Sequence, residues 1–275
     1  MTYITASEVR NICGAPGDLI TDEQLNQYIE EVESEMKRWM NTVFTPKEVI
    51  EIHDGNGTSR IFTKKNPVLS VRALTLNNNV SITPAGIDWY KSSGKLWLGT
   101  GAECATFLEG HQNTFIKYVY GMVEESDKES MTLNDVSKGK SVEIEIGNAS
   151  QFAVNDWVEI YGMDGNREAF KITSIDAGAN KITADVLVKD HSADSKTVKL
   201  QIPDFIRKYM LIEAGICAGI NAMGATYVFN ASYGLGDLNV TKGVPYTHWK
   251  ASVDYLLKER ELRKSRIRPR PAIVT

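Results

Sequence analysis

Cysteine and histidine are scarce in this chain, with three and four copies in 275 residues. Cys13, Cys104 and Cys217 are too few and too far apart for a disulfide framework or a zinc site, and an odd count suits reduced thiols in a cytoplasm. His53, His111, His191 and His248 stand alone, none with a second ligand three or four positions on, so no metal centre is expected. Motifs of common enzymes are missing too. Gly234-Leu235-Gly236 lacks the later glycine or Lys-Ser/Thr of a phosphate-cradling loop. Asp164-Gly165-Asn166 opens like a calcium loop, but Ala169 stands where the sixth-position glycine belongs. There is no Gly-x-Ser-x-Gly elbow, and none of the abundant acids is paired for catalysis by sequence alone. Neither an enzyme nor a cofactor is expected.

Long apolar runs are absent as well. The most apolar stretch, Tyr209 to Ala225, follows Arg207 and Lys208 and is interrupted by Glu213, too short and too charged to span a bilayer. No membrane partner is expected. Met1 to Cys13 lacks the basic start and apolar run of a secretion signal.

What is present is an ordinary globular composition, 42% hydrophobic and 24% charged, with enough chain for one large domain or two smaller ones. The net charge of −4 argues against general adhesion to nucleic acid. That charge is unevenly spread. From Leu256 to Thr275, seven cations face Glu259 and Glu261, a local net of +5. A predicted helix beginning near Thr21 carries six acids, Asp22, Glu23, Glu30, Glu31, Glu33 and Glu35, on its exposed face against Lys37 and Arg38, a local net of −4.

Periodicity supplies the elements. Ser7 to Cys13 reads as a short helix stopped by Gly14 to Gly17. Thr21 and Gln24 form a capping box before the apolar stripe Leu25, Tyr28, Ile29, Val32, Met36, Trp39 and Met40. From Pro46 the period changes to two, with strands expected at 49–52, 60–62, 68–71, 73–76, 80–82, 88–90, 95–98 and 114–120. Met122 to Lys140 is polar without a regular period and reads as a linker. More strands follow at 142–146, 156–160, 169–175, 181–187 and 198–202, in the pattern of a small barrel. Pro203 opens a second long helix with a wide apolar surface, whose Gly215, Ala218, Gly219 and Ala222 admit a close neighbour. A last helix from about Pro245 to Lys264 precedes a tail broken by Pro269 and Pro271.

The expected class is therefore α+β: a helical bundle formed by the N- and C-terminal helices, with an antiparallel β region over 46–121 and an inserted small β-barrel-like domain. Residues 1–121 and 201–275 would form the core and 122–200 the insert.

The order of these parts resembles the head-tail connector, or adaptor, proteins of tailed bacteriophages. The resemblance rests on the acidic N-terminal helix, the β-rich segments Pro67 to Arg72, Lys95 to Leu98 and Ile116 to Gly121, the helix opened by Pro203-Asp204, the segment Ser232 to Val240, and the helix Leu256 to Leu262 with its Arg-Pro tail. It implies a structural virion protein, made in the host bacterial cytoplasm and located at the head-tail interface. The partners implied are further copies of the chain in a ring, usually of twelve, the portal protein, and a tail-completion or stopper protein. DNA would pass through the ring's channel without sequence-specific binding. Within this picture the portal-docking arm comprises Arg263, Arg266, Ile267, Arg268, Arg270, Ile273 and Val274. The acidic and basic helix faces supply the subunit-interface candidates Glu30, Glu33, Glu35, Arg260 and Lys264.

Two rival readings use the same residues differently. The basic C-terminal arm could neutralise phosphates in a nucleic-acid-binding protein, with a steep salt dependence. Alternatively, Trp157, Tyr161 and Phe170 of the inserted β domain could form a stacking platform for a small ligand.

Overall fold

The computed structural model describes residues 3–14, 19–76, 80–82, 86–91, 93–98, 106–163, 165–229, 234–235, 238–239 and 245–264. These divide into two units, one built from 1–41 with 203–264 and the other from 42–202.

The first unit holds four helices. Helix α1 (Ala6–Cys13) opens with a capping box between Thr5 and Glu8 and ends at Gly14, whose φ of 68° requires a left-handed residue. Helix α2 (Asp22–Met40) starts at the expected Thr21/Gln24 box and stops at Asn41, also left-handed. Its stripe buries Leu25, Ile29, Val32, Met36 and Met40. Helix α3 (Asp204–Phe229) is apolar nearly all round and packs against α1, α2 and α4 (Pro245–Lys264), which explains its many buried residues. Two glycines one turn apart let neighbours approach α3 closely, Gly219 toward α4 and Gly215 toward α1. A Cβ on Gly219 would lie 2.6 Å from Val253 Cγ2, and one on Gly215 would lie 2.9 Å from Ile12 Cγ2. On α4, Val253 and Leu256 are buried, whereas Tyr255 and Leu262 are 62% and 66% exposed.

The second unit is built of sheets. Strands β1 (Lys47–Gly55), β3 (Val68–Leu76), β4 (Val80–Ile82) and β7 (Gly110–Tyr120) form an antiparallel sheet in the order β1-β7-β3-β4. The expected strands at 68–71 and 73–76 are a single strand, β3, whose register with β7 shifts twice. A three-stranded sheet has the order β2-β6-β5, from Arg60–Phe62, Lys95–Leu98 and Ile87–Tyr90. The two share a core of Val71, Leu74, Ile87, Leu96, Phe107, Ile116 and Tyr118.

Six further strands form the third sheet: β8 (Glu124–Met131), β9 (Gly139–Glu145), β10 (Trp157–Tyr161), β11 (Arg167–Asp176), β12 (Lys181–Leu187) and β13 (Lys196–Gln201), in the order β8-β13-β10-β11-β12-β9. Its two edge strands approach each other where Thr132 bridges Ile146, so the sheet curls round Ile144, Phe152, Val158, Ile160, Phe170, Ile172 and Ile182. Strand β8 replaces the expected linker. It was hidden because almost all its side chains are polar and exposed, while its backbone pairs with β13.

The expectation of a helical bundle framed by the terminal helices is overturned. Among the described residues, thirteen strands in three antiparallel sheets stand against four helices, with a small hairpin of β14 (Gly234–Leu235) and β15 (Leu238–Asn239) besides. The chain is mostly β. The two strongly patterned helices outweighed, in the sequence, a larger number of short period-two segments. Each short strand gives a weak signal, and the sheets close only through partners distant in the chain.

Candidate functional site

In the helical unit, α2, α3 and α4 leave a groove of about 390 Å³. Helical spacing assembles it. Val32 and Met36, and Glu35 and Trp39, are pairs one turn apart on α2; Tyr209, Glu213 and Cys217 repeat every fourth residue on α3; Arg260 and Lys264 do the same on α4. The Trp39 and Tyr209 rings lie 6.2 Å apart at 33° and form the aromatic part of the wall. Arg260 reaches Glu213 at 3.8 Å and Glu261 at 3.2 Å, while its buried Nε has no hydrogen-bond partner among the described residues.

Two groups here, Tyr209 and Cys217, are held in their protonated forms. Burial first, then the hydrogen bond and charge of Glu213, push the Tyr209 phenol well above its usual value. Burial also raises the Cys217 thiol, helped by the charges of Glu213, Glu31 and Glu35, which keeps it from being a thiolate nucleophile. The groove offers apolar contact and two charges of each sign.

Of the five interface candidates, Glu35, Arg260 and Lys264 meet in this groove. Glu30 is exposed on α2 outside its lining. Glu33 is not on the exposed face. It is 5% exposed, accepts the Tyr3 N–H at 2.6 Å and lies 3.8 Å from Lys37. Of the docking arm, Arg263 is half-buried and pairs with Glu259 at 3.2 Å. Arg266, Ile267, Arg268, Arg270, Ile273 and Val274 lie outside the described residues, as does most of the Ser232 to Val240 segment. Sequence reasoning had placed Trp39, Tyr209 and Cys217 in apolar stripes; the signal for a groove was Glu213 midway between Tyr209 and Cys217 on one face.

The proposed stacking platform is not assembled. Phe170 pairs with Val158 on β10 and is fully buried in the barrel core, whereas Trp157 and Tyr161 alternate with Val158 and face the other way. Three histidines have carboxylate partners: His53 with Glu51 at 2.9 Å, His111 with Asp54 at 2.9 Å, and His191 with Glu168 at 3.0 Å. Among the described residues no three His, Cys, Asp or Glu side chains gather as a metal-ligand set. None of the described helices is long and apolar enough to cross a membrane. Compared with known proteins, the chain matches no family model, and no curated protein is significantly similar to it.

Proposed function

We propose that this chain is a structural ring subunit at the head-tail interface of a tailed bacteriophage, bound to the portal, extending the DNA channel and offering a docking platform to a tail-completion or stopper protein. The observation that carries the reading is the distribution of charge on the helical unit. Helix α2 exposes Glu30, Glu31 and Glu35, and α4 ends in Lys258, Arg260, Arg263 and Lys264. A head-to-tail cyclic contact needs two different, complementary patches on each subunit, and an acidic and a basic face of one unit meet that need. The groove holding Glu35, Arg260 and Lys264 is the surface on which a neighbour's element would seat.

Imaging and mass measurement of the purified protein, alone and with portal, test the reading. A ring that forms with portal supports it, and a monomer indifferent to portal overturns it. Deleting residues 265–275 should abolish attachment to portal if the basic arm is the tether. A monomer that instead binds random duplex, with affinity falling steeply as salt rises, would mark a nucleic-acid-binding protein.

A further inference from the structure

The three-stranded sheet β2-β6-β5 has two unlike faces, and the β core uses only one of them. Residues directly opposite on antiparallel strands share a face, and the face alternates along each strand. Ile61, Leu96 and Trp89 form one row, Ile87 and Leu98 extend it, and all five belong to or pack on the core of the β unit. The other face carries two rows. One runs Arg60, Trp97, Asp88 across the three strands, and the next runs Phe62, Lys95, Tyr90. Three of these six residues are aromatic and two are cations.

This second face is open to solvent. Tyr90 is 54% and Phe62 42% exposed, Arg60 is exposed, and Trp97 and Lys95 are half-buried. The Tyr90 and Trp97 rings lie 4.6 Å apart at 36°, and Lys95 Nζ stands 5.7 Å from the Tyr90 centroid, so the groups order one another. Exposed aromatics gathered on one face, rather than scattered singly, mark an interaction surface. Charge narrows the partner. From Gly55 to Leu98 the chain has six cations, Arg60, Lys64, Lys65, Arg72, Lys91 and Lys95, against Asp88 alone, a local net of +5 in a protein of −4. Two of the six are engaged inside the unit, Lys91 with Glu159 at 3.0 Å and Arg72 with Asp185 at 3.5 Å. Among the described residues, Arg60, Lys64 and Lys95 have no carboxylate partner.

We propose that this face binds single-stranded DNA, with bases stacked on Phe62, Tyr90 and Trp97 and phosphates met by Arg60 and Lys95. Unpaired cations interleaved with exposed rings match a strand that presents phosphates and bare bases together, and aromatic sheet faces stack two or three bases in this way. Other partners leave half of the surface unused. A duplex keeps its bases stacked within itself, a neutral carbohydrate leaves the cations unmatched, and an acidic protein leaves the rings uncovered. Neither row holds Ser, Thr, Asn or Gln to read base edges or a 2′-hydroxyl, so the fit is to DNA without sequence preference. The proposal rests on the β unit alone and depends neither on the ring function nor on the basic C-terminal arm.

Fluorescence-anisotropy titration of the full chain with labelled oligothymidylate, an abasic strand of the same length, a thymidylate–adenylate duplex and oligouridylate tests it. Oligothymidylate should bind with a dissociation constant on the order of 10 μM near physiological salt, and a log–log salt slope of about −1.4 to −2.1 corresponds to two or three phosphates. The abasic strand keeps the charge and lacks the rings, so it should bind about tenfold or more weakly, as should the duplex. Tyr90→Ala should weaken oligothymidylate about tenfold, Tyr90→Phe should retain it, and Lys95→Gln should flatten the salt slope by about 0.7. The comparison of the two single strands on the unmutated chain is decisive even if a variant fails to fold. Equal binding of the abasic strand would assign the affinity to charge alone, the basic tail included. That result, absence of oligothymidylate binding, tighter binding of the duplex or of oligouridylate, an unchanged slope in Lys95→Gln, or a Tyr90→Ala protein that binds like the parent would each overturn the proposal.

Discussion

Replacing Gly219 by alanine sets two opposing effects against each other in one methyl group. Alanine is the better helix former by about 1 kcal/mol in a helix interior. The new Cβ, however, would lie 2.6 Å from Val253 Cγ2, where carbon pairs prefer roughly 3.5–4.0 Å. Valine in a helix has one strongly favoured χ1 rotamer, so Val253 cannot swing clear and the displacement falls on the α3–α4 pair. Overpacking of this kind costs about 1–3 kcal/mol. The expected net is a loss of ~1 kcal/mol, seen as a lower urea midpoint for the helical signal in circular dichroism.

The neighbouring valine makes the argument decisive. Among the described residues, and apart from α3's own backbone, Val253 Cγ2 is the single atom a Cβ on Gly219 would meet within 4 Å. In a Val253→Ala background the clash is gone and the propensity remains, so Gly219→Ala should there stabilise by ~1 kcal/mol. The sign reverses, giving a coupling of about 2 kcal/mol between the two sites. If Gly219→Ala stabilises the parent chain, or changes both backgrounds alike, the close approach is not what selects glycine.

Three other perturbations probe the rest of the molecule. Glu159→Gln leaves Lys91 and Arg167 without their buried counter-charge, but both are a third or more exposed and can rehydrate, so a loss of about 2 kcal/mol at neutral pH is expected. Because the folded-state pKa of Glu159 lies below its unfolded value, its contribution is full above pH ~4.3 and fades as pH falls through the folded value. The urea midpoints of parent and Glu159→Gln should therefore converge in acid, and a constant gap would contradict the ion-pair account. Tyr118→Phe removes the hydroxyl that donates to Glu51 at 2.5 Å and accepts from the Lys65 N–H at 3.1 Å, for an expected loss of about 1–3 kcal/mol by thermal unfolding. Burial first, then Glu51, raise the Tyr118 phenol far above its usual range, so a spectroscopic alkaline titration should show it ionising only as the chain unfolds. Thr21→Ala deletes the side chain that caps α2 and should lower stability by ~1 kcal/mol, whereas Thr21→Ser should not.

The parts of this fold that were legible in the sequence are those whose signals are local. Thr21 and Gln24 mark the start of α2, Lys181 to Leu187 marks β12, and Gly215 with Gly219 marks a helix that admits a close neighbour. The missed parts depend on partners far away in the chain. Strand β8 has no hydrophobic alternation to read, because what holds it is backbone pairing to β13, more than sixty residues later. Thr5 and Glu8 did carry a legible capping box, one that a search for apolar periodicity passes over. The groove was half legible: Glu35, Arg260 and Lys264 were singled out by charge, yet nothing local to α2 places Trp39 against Tyr209.

The same distinction separates the two uses of charge in this chain. On α2 and α4 the charges lie in sequence blocks, remain largely at the surface, and need partners outside the unit to be more than weakly stabilising. In the β unit they are scattered singly: Lys91 meets Glu159 across 68 positions and Arg72 meets Asp185 across 113, with one partner of each pair, Glu159 and Arg72, buried. Scattered charges that find intramolecular partners define the fold, and their loss should be read as stability. If the chain forms the proposed ring, the blocked, exposed charges serve its contacts, and charge reversal at Glu35 or Lys264 should leave the unfolding midpoint nearly unchanged while weakening association. Charge reversal that unfolded the helical unit would place those residues with the first group and remove the argument for an interface.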